Sequence, residues 1–101
     1  MFKTLKKEQF KEELNKGDAI LIDVRTDNER RTFGKIQEKQ LNMDIYNPKV
    51  VEQILALDKS KKYLIYCWHG NRSLSVMDFM KGNGFSRVCE LAGGINAWNR
   101  K

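Results

Sequence analysis

A chain of 101 residues with 41% hydrophobic, 10% aromatic and 32% charged residues has enough apolar content for a modest core, which excludes a disordered segment. No apolar run approaches the ~18 residues a membrane span needs. The early lysines Lys3, Lys6 and Lys7 are followed by no apolar stretch, so no secretory leader is expected and the expected compartment is the cytoplasm. The net charge of +6 predicts a solvated basic surface that attracts small anions. The lysines are scattered rather than clustered with stacking aromatics, so nucleic acid is not an expected partner.

No linker, repeat or low-complexity segment divides the chain, and residues 1–101 are read as a single domain. Residues 6–16 read as a helix, with Phe10 and Leu14 four apart on one face and Gly17 where a helix ends. Residues 19–24 are a near-continuous apolar run of the kind that forms a strand buried on both faces. Thr26 and Glu29 have capping-box spacing and open a short helix to about Phe33. An irregular stretch follows, with a short strand at 41–43. Asn47 and Pro48 read as the N-cap and first residue of a helix whose apolar face carries Val50, Val51, Ile54, Leu55 and Leu57.

Residues 62–67 form a second buried strand ending on Cys67. After a polar, glycine-containing loop, a helix beginning at Arg72 or Ser73 carries Leu74, Val76, Met77, Phe79 and Met80 into the core and stops near Gly82. Residues 87–91 are a third clear strand, and 95–100 a short closing helix with Ile95 and Trp98 three apart. Strands alternating with helices predict a parallel sheet covered on both faces. Ligands of such sheets sit beyond the carboxyl ends of the strands. Three segments are therefore expected to converge there: Asp23–Arg25, the loop after Tyr66, and Ala92-Gly93-Gly94.

The informative segment is Cys67-Trp68-His69-Gly70-Asn71-Arg72-Ser73. A cysteine that closes a buried strand just before a helix meets a nest of backbone N–H groups and the positive end of that helix. Gly70 permits a turn that a side chain blocks, Arg72 adds a planar cation, and Ser73 is placed to cap the helix. Each favours a thiolate, so Cys67 is the candidate nucleophile, in preference to an inert strand-end thiol. The chemistry needs no cofactor. One histidine and two cysteines at these spacings provide no metal site.

These residues resemble the active-site loop of the rhodanese family, commonly Cys-x-x-Gly-x-Arg-Ser. Two further segments resemble that family: Asp23-Val24-Arg25 followed by Glu29, and Leu91-Ala92-Gly93-Gly94-Ile95-Asn96-Ala97-Trp98. The resemblance covers nearly the whole chain. It implies a central five-stranded parallel sheet with helices on both faces. It implies a sulfurtransferase in which Cys67 takes a sulfane sulfur from thiosulfate or a persulfide donor and gives it to cyanide or a thiol. The loop from Trp68 to Ser73 would hold the persulfide, and Arg72 would help bind the anionic donor. Residues 34–42 depart from the family's usual Gly-His-Ile-x-Gly-Ala pattern: Lys35 stands where the histidine is common, the Gly-Ala is absent, and one residue is added.

Around this loop, Asp23 is expected to be a hydrogen-bonding support for the loop or for Arg72, and Arg25 to pair with Glu29 in preference to an anion. His69 reads as a rim residue rather than a general base, Trp68 as a pocket wall or cover for the sheet edge, and Cys89 as a core residue rather than a resolving thiol. Gly93 and Gly94 are expected to allow tight backbone approach. A phosphatase or arsenate reductase on the same fold is the competing enzyme class. Its loops place five residues between cysteine and arginine, whereas four lie between Cys67 and Arg72. A non-catalytic interaction module is the third possibility, disfavoured by the cysteine itself. A monomer is expected.

Overall fold

The structure, a computed structural model, describes residues 1–100. The strands are β1 (Phe2–Leu5), β2 (Ala19–Asp23), β3 (Leu41–Asn42), β4 (Lys62–Tyr66) and β5 (Arg87–Leu91). Between and after them run α1 (Lys7–Asn15), α2 (Asp27–Phe33), α3 (Val50–Leu55), α4 (Asn71–Gly82) and α5 (Gly94–Trp98). The strands form one sheet in the order β1-β5-β4-β2-β3, and all neighbours are parallel. This is the rhodanese-type α/β architecture that the motifs imply.

β4 lies mid-sheet, and all five of its residues are buried. Its alternation divides the core. Tyr63 and Ile65 pack with Val50, Ile54, Val76, Met77 and Met80 under α3 and α4. Leu64 and Tyr66 face Phe10 and Ile95 under α1 and α5. Helices thus cover both faces, as strands with continuous apolar runs require. Lys62, at the start of β4, is buried and is held by Glu13 of α1 and by Asp18, 3.6 Å away.

Three local expectations change. β1 was not readable: it is a four-residue edge strand carrying a lysine, and it is recruited by pairing Phe2 with Val88 and Leu5 with Leu91. α3 begins at Val50 rather than at Pro48. Asn47 caps the preceding turn, its side chain accepting from Lys49 N at 2.9 Å and its carbonyl from Val50 N at 3.0 Å. This short helix buries the Val50–Ile54 stripe and leaves Val51 and Leu55 exposed. α4 begins at Asn71, and Leu74 is exposed. The buried stripe runs through Ser73, Val76, Met77 and Met80, and Leu74 is turned off it.

Candidate active site

The ends of β2, β4 and β5 meet through backbone bonds. Val24 N donates to Tyr66 O (3.1 Å), Ile95 N to Cys67 O (2.8 Å), and Asn96 N to Trp68 O (3.1 Å). Gly94, at φ +61°, lies against the carbonyls of Cys67 and Trp68, so closely that a Cβ there has no room. Gly70, at φ +104°, precedes α4 and packs on the end of β5: a Cβ placed on it would lie 3.4 Å from Gly93 N and 3.8 Å from Glu90 Oε1. These two glycines let the cysteine loop rest on the loop that opens α5.

Cys67 is buried, one residue past β4. Gly70 N donates to its sulfur at 3.0 Å and Ser73 N at 3.4 Å, and the Ser73 hydroxyl lies 3.4 Å away. Two amides at the mouth of a 12-residue helix therefore aim at one sulfur atom, an arrangement that stabilises negative charge there. The cysteine lines a cavity of about 270 Å³ with Tyr46, Trp68, His69, Asn71 and Arg72. A larger hollow of about 620 Å³ opens between α1 and residues 37–41. Its lining carries no thiol or hydroxyl, so the smaller cavity is the candidate site.

Arg72 is committed rather than free. Its two terminal nitrogens each donate to a Glu29 oxygen at 2.7 Å, with both side chains about one-fifth exposed. The Arg72 hydrogen bonds hold the Glu29 carboxyl down to about 2 against the opposing effect of burial, with the Thr26 backbone assisting. Glu29 in turn raises Arg72 above the ordinary guanidinium value. Thr26 caps α2 as its spacing predicts, accepting from Glu29 N at 3.1 Å.

Arg25 does not pair with Glu29. It is fully buried and forms a two-pronged bond with Asp23, Nε to Oδ1 at 3.0 Å and Nη2 to Oδ2 at 2.8 Å. Burial alone would depress Arg25, but the Asp23 hydrogen bonds and charge outweigh it and hold Arg25 above its usual value. Asp23 consequently braces neither the cysteine loop nor Arg72. It anchors Arg25, with Arg30 at 3.7 Å. The reason is reach: Asp23 and Arg25 share one face at the end of β2, while Glu29 sits one turn into α2, beside α4. Arg25 Nη2 also donates to Gly34 O (2.7 Å), and Tyr66 Oη both donates to Gln40 (2.7 Å) and accepts from Ile36 N (3.3 Å). The divergent 34–42 segment is thereby pinned to the network beneath it. Burial pushes the Tyr66 hydroxyl up to about 12, so it remains a donor at any ordinary pH.

Ser73 does not cap α4. Gly70 occupies that position, and Ser73 lies inside the first turn. Trp68 is half-buried, packed at a tilt of 42° on Phe33 with ring centres 4.6 Å apart, and His69 is exposed, edge-on to Trp68 at 5.5 Å. Tyr46 lies 5.7 Å from the Arg72 guanidinium. Cys89 is buried mid-strand, and burial raises its thiol. Among the described residues no cluster of His, Cys, Asp or Glu suits a metal ion, and no helix is long and apolar enough to cross a membrane.

Sequence reading missed Tyr46, the Glu29–Arg72 pair and Glu90. The last had a signal: a carboxylate inside an otherwise apolar strand needs a partner.

A parallel sheet with a strand-end cysteine cradled by the amides of the following helix defines the class: an α/β domain with a buried thiol at the carboxyl edge of its sheet. The profile of the Rhodanese-like domain family matches residues 6–101, and the chain belongs to that family. The thiosulfate sulfurtransferase GlpE of Pseudomonas savastanoi pv. phaseolicola is 31% identical over 99 residues, covering 96% of this chain and 87% of that protein. The rhodanese-related protein of Thermoplasma volcanium superposes with a TM-score of 0.79 at 26% identity, over 95% of this chain and 89% of that one. A rhodanese-like domain protein of Staphylococcus aureus gives 0.77 at 26%, over 100% and 94%. Membership and relatives together place the chain among sulfurtransferases at the level of the family.

Proposed function

We propose that the chain moves sulfane sulfur through a persulfide on Cys67, taking it from thiosulfate or a persulfide donor and passing it to cyanide or a thiol. The observation that carries this reading is the pair of amides, Gly70 N and Ser73 N, aimed at the Cys67 sulfur. The Cys67 thiolate attacks the outer sulfur of thiosulfate. The S–S bond of the donor breaks, its electron pair leaves with sulfite, and Cys67 carries a persulfide. An acceptor nucleophile then attacks the outer persulfide sulfur, and the electron pair of that bond returns to Cys67 as thiolate. No external redox partner is needed.

The terminal sulfur occupies the cavity beside Asn71 and Arg72, where the α4 terminus favours an anion while the charge of Arg72 is met by Glu29. Trp68 and His69 form its rim. The engagement of Arg72 with Glu29 also favours sulfur over phosphate, because a phosphoryl group calls for a free guanidinium fork. The test is turnover: thiosulfate and cyanide should yield thiocyanate and sulfite with the parent and not with Cys67→Ala, while Cys89→Ala retains activity. Thiocyanate at parental rates from Cys67→Ala would overturn the assignment.

A further inference from the structure

Behind Cys67 lies a carboxylate that the transfer scheme above does not use. Glu90 is 2% exposed, the penultimate residue of β5, on the face that packs against α4. Its Oε1 accepts the Ser73 hydroxyl at 2.6 Å, and Ser73 Oγ is 3.4 Å from the Cys67 sulfur. The first distance is that of a hydroxyl donating to a carboxylate. A hydroxyl has one proton. While Glu90 holds it, Ser73 turns a lone pair toward Cys67, where an S–H fits and a thiolate does not. We propose that Glu90 is a positioning residue which, through Ser73, sets the protonation of Cys67.

The inference rests on the reading of Cys67 as the sulfur-carrying nucleophile. Two arrangements of the chain Cys67–Ser73–Glu90 satisfy every partner. In one, Cys67 S–H donates to Ser73 and Ser73 donates to the Glu90 carboxylate. In the other, the S–H bond has broken and its proton has gone to Ser73 Oγ, while the Ser73 proton has passed to Glu90. The result is a thiolate that accepts from Ser73 and a neutral Glu90 that donates to Ser73. Net charge is unchanged. With both ends anionic, one hydroxyl proton serves only one of them, so the two ends compete for it.

The other charged and titratable groups around it are few. On the cysteine loop and the first turn of α4 they are His69, exposed, and Arg72, tied to Glu29 of α2. Farther along α4, Asp78 and Lys81 are exposed. The strand neighbours of Glu90 are Thr4 on β1 and Ile65 on β4, neither of them charged.

Alkylation of Cys67 by iodoacetamide, followed by peptide mass against pH, reads the thiolate without requiring sulfur transfer. Glu90→Gln leaves only an uncharged amide acceptor for the Ser73 proton, so that proton turns more readily to the sulfur, and the rate at pH ~6 is expected to rise roughly tenfold, equivalent to a shift of about one pH unit. In a Ser73→Ala background the same substitution should change it less than roughly twofold, because the connection is gone. If Glu90→Gln folds poorly, the parent profile decides: a spread wider than one ionisation supports the pair, and a single-ionisation curve overturns it. An unchanged rate in folded Glu90→Gln, or an equal effect with and without Ser73, also overturns it. A coupled alkylation profile in a protein that takes no sulfur from thiosulfate would sustain the Glu90 role and remove only the proposed activity.

Discussion

At the scale of single residues, the site is organised by two arginine–carboxylate pairs, one local in the chain and one closed by the fold across 43 residues. Arg25 and Asp23 form the buried pair, and Arg72 and Glu29 the partly exposed one. The second pair predicts a pH dependence. Glu29 is held at about 2, below its ordinary 4.5. A depressed carboxyl contributes stability that is fully present above the unfolded value and is lost as pH falls through the folded one. Urea denaturation should therefore show Glu29→Gln less stable than the parent by about 1–3 kcal/mol at neutral pH. That gap should close between about pH 4.5 and about pH 2. A gap that stays constant down to the acid limit would mean that the pair contributes nothing. The sequence led to the expectation that Asp23 supports the loop or Arg72 and that Arg25 pairs with Glu29. It did not show who pairs with whom, because pairing depends on where α2 sits over the sheet, and that is set by contacts distant in the chain.

At the scale of elements, legibility followed periodicity. β2, β4 and β5 are apolar runs bounded by turns, and each lies within a residue of its expected place. α1 and α2 carried cap and stop signals that the structure honours. β1 and the start of α3 did not, because an edge strand needs only backbone pairing on one side and a proline-led turn imitates a helix start. The loop-to-loop contact beneath the cysteine depends on Gly94. Replacing it with alanine adds a Cβ against two carbonyls and strains a positive φ. Thermal unfolding of Gly94→Ala should reveal a loss of about 3 kcal/mol or more, with alkylation of Cys67 altered in parallel. Parental stability in that variant would show that the Cys67 carbonyl does not rest on α5 as described.

At the scale of the whole molecule, a basic protein carries the Cys67 cavity at the carboxyl edge of its sheet. With a net charge of +6, the rate of thiosulfate capture should fall as salt rises from ~10 to ~300 mM, across which the screening length drops from roughly 30 Å to below 8 Å. A salt-independent rate would place the controlling charge entirely inside the site. The cavity's position was legible from the sheet rule and the loop motif, since both place chemistry at the carboxyl ends of the strands. Its depth was not, nor was the contact between Ser73 and Glu90, because side-chain depth depends on how α4 lies across β5. The account as a whole rests on Cys67 carrying sulfur. The most direct measurement is the intact mass of the reduced protein after exposure to thiosulfate, alongside Cys67→Ser. The account predicts a gain of one sulfur, roughly 32 Da, on the parent alone, reversed by cyanide. A parent that gains no mass, or a Cys67→Ser variant that gains as much, would contradict it.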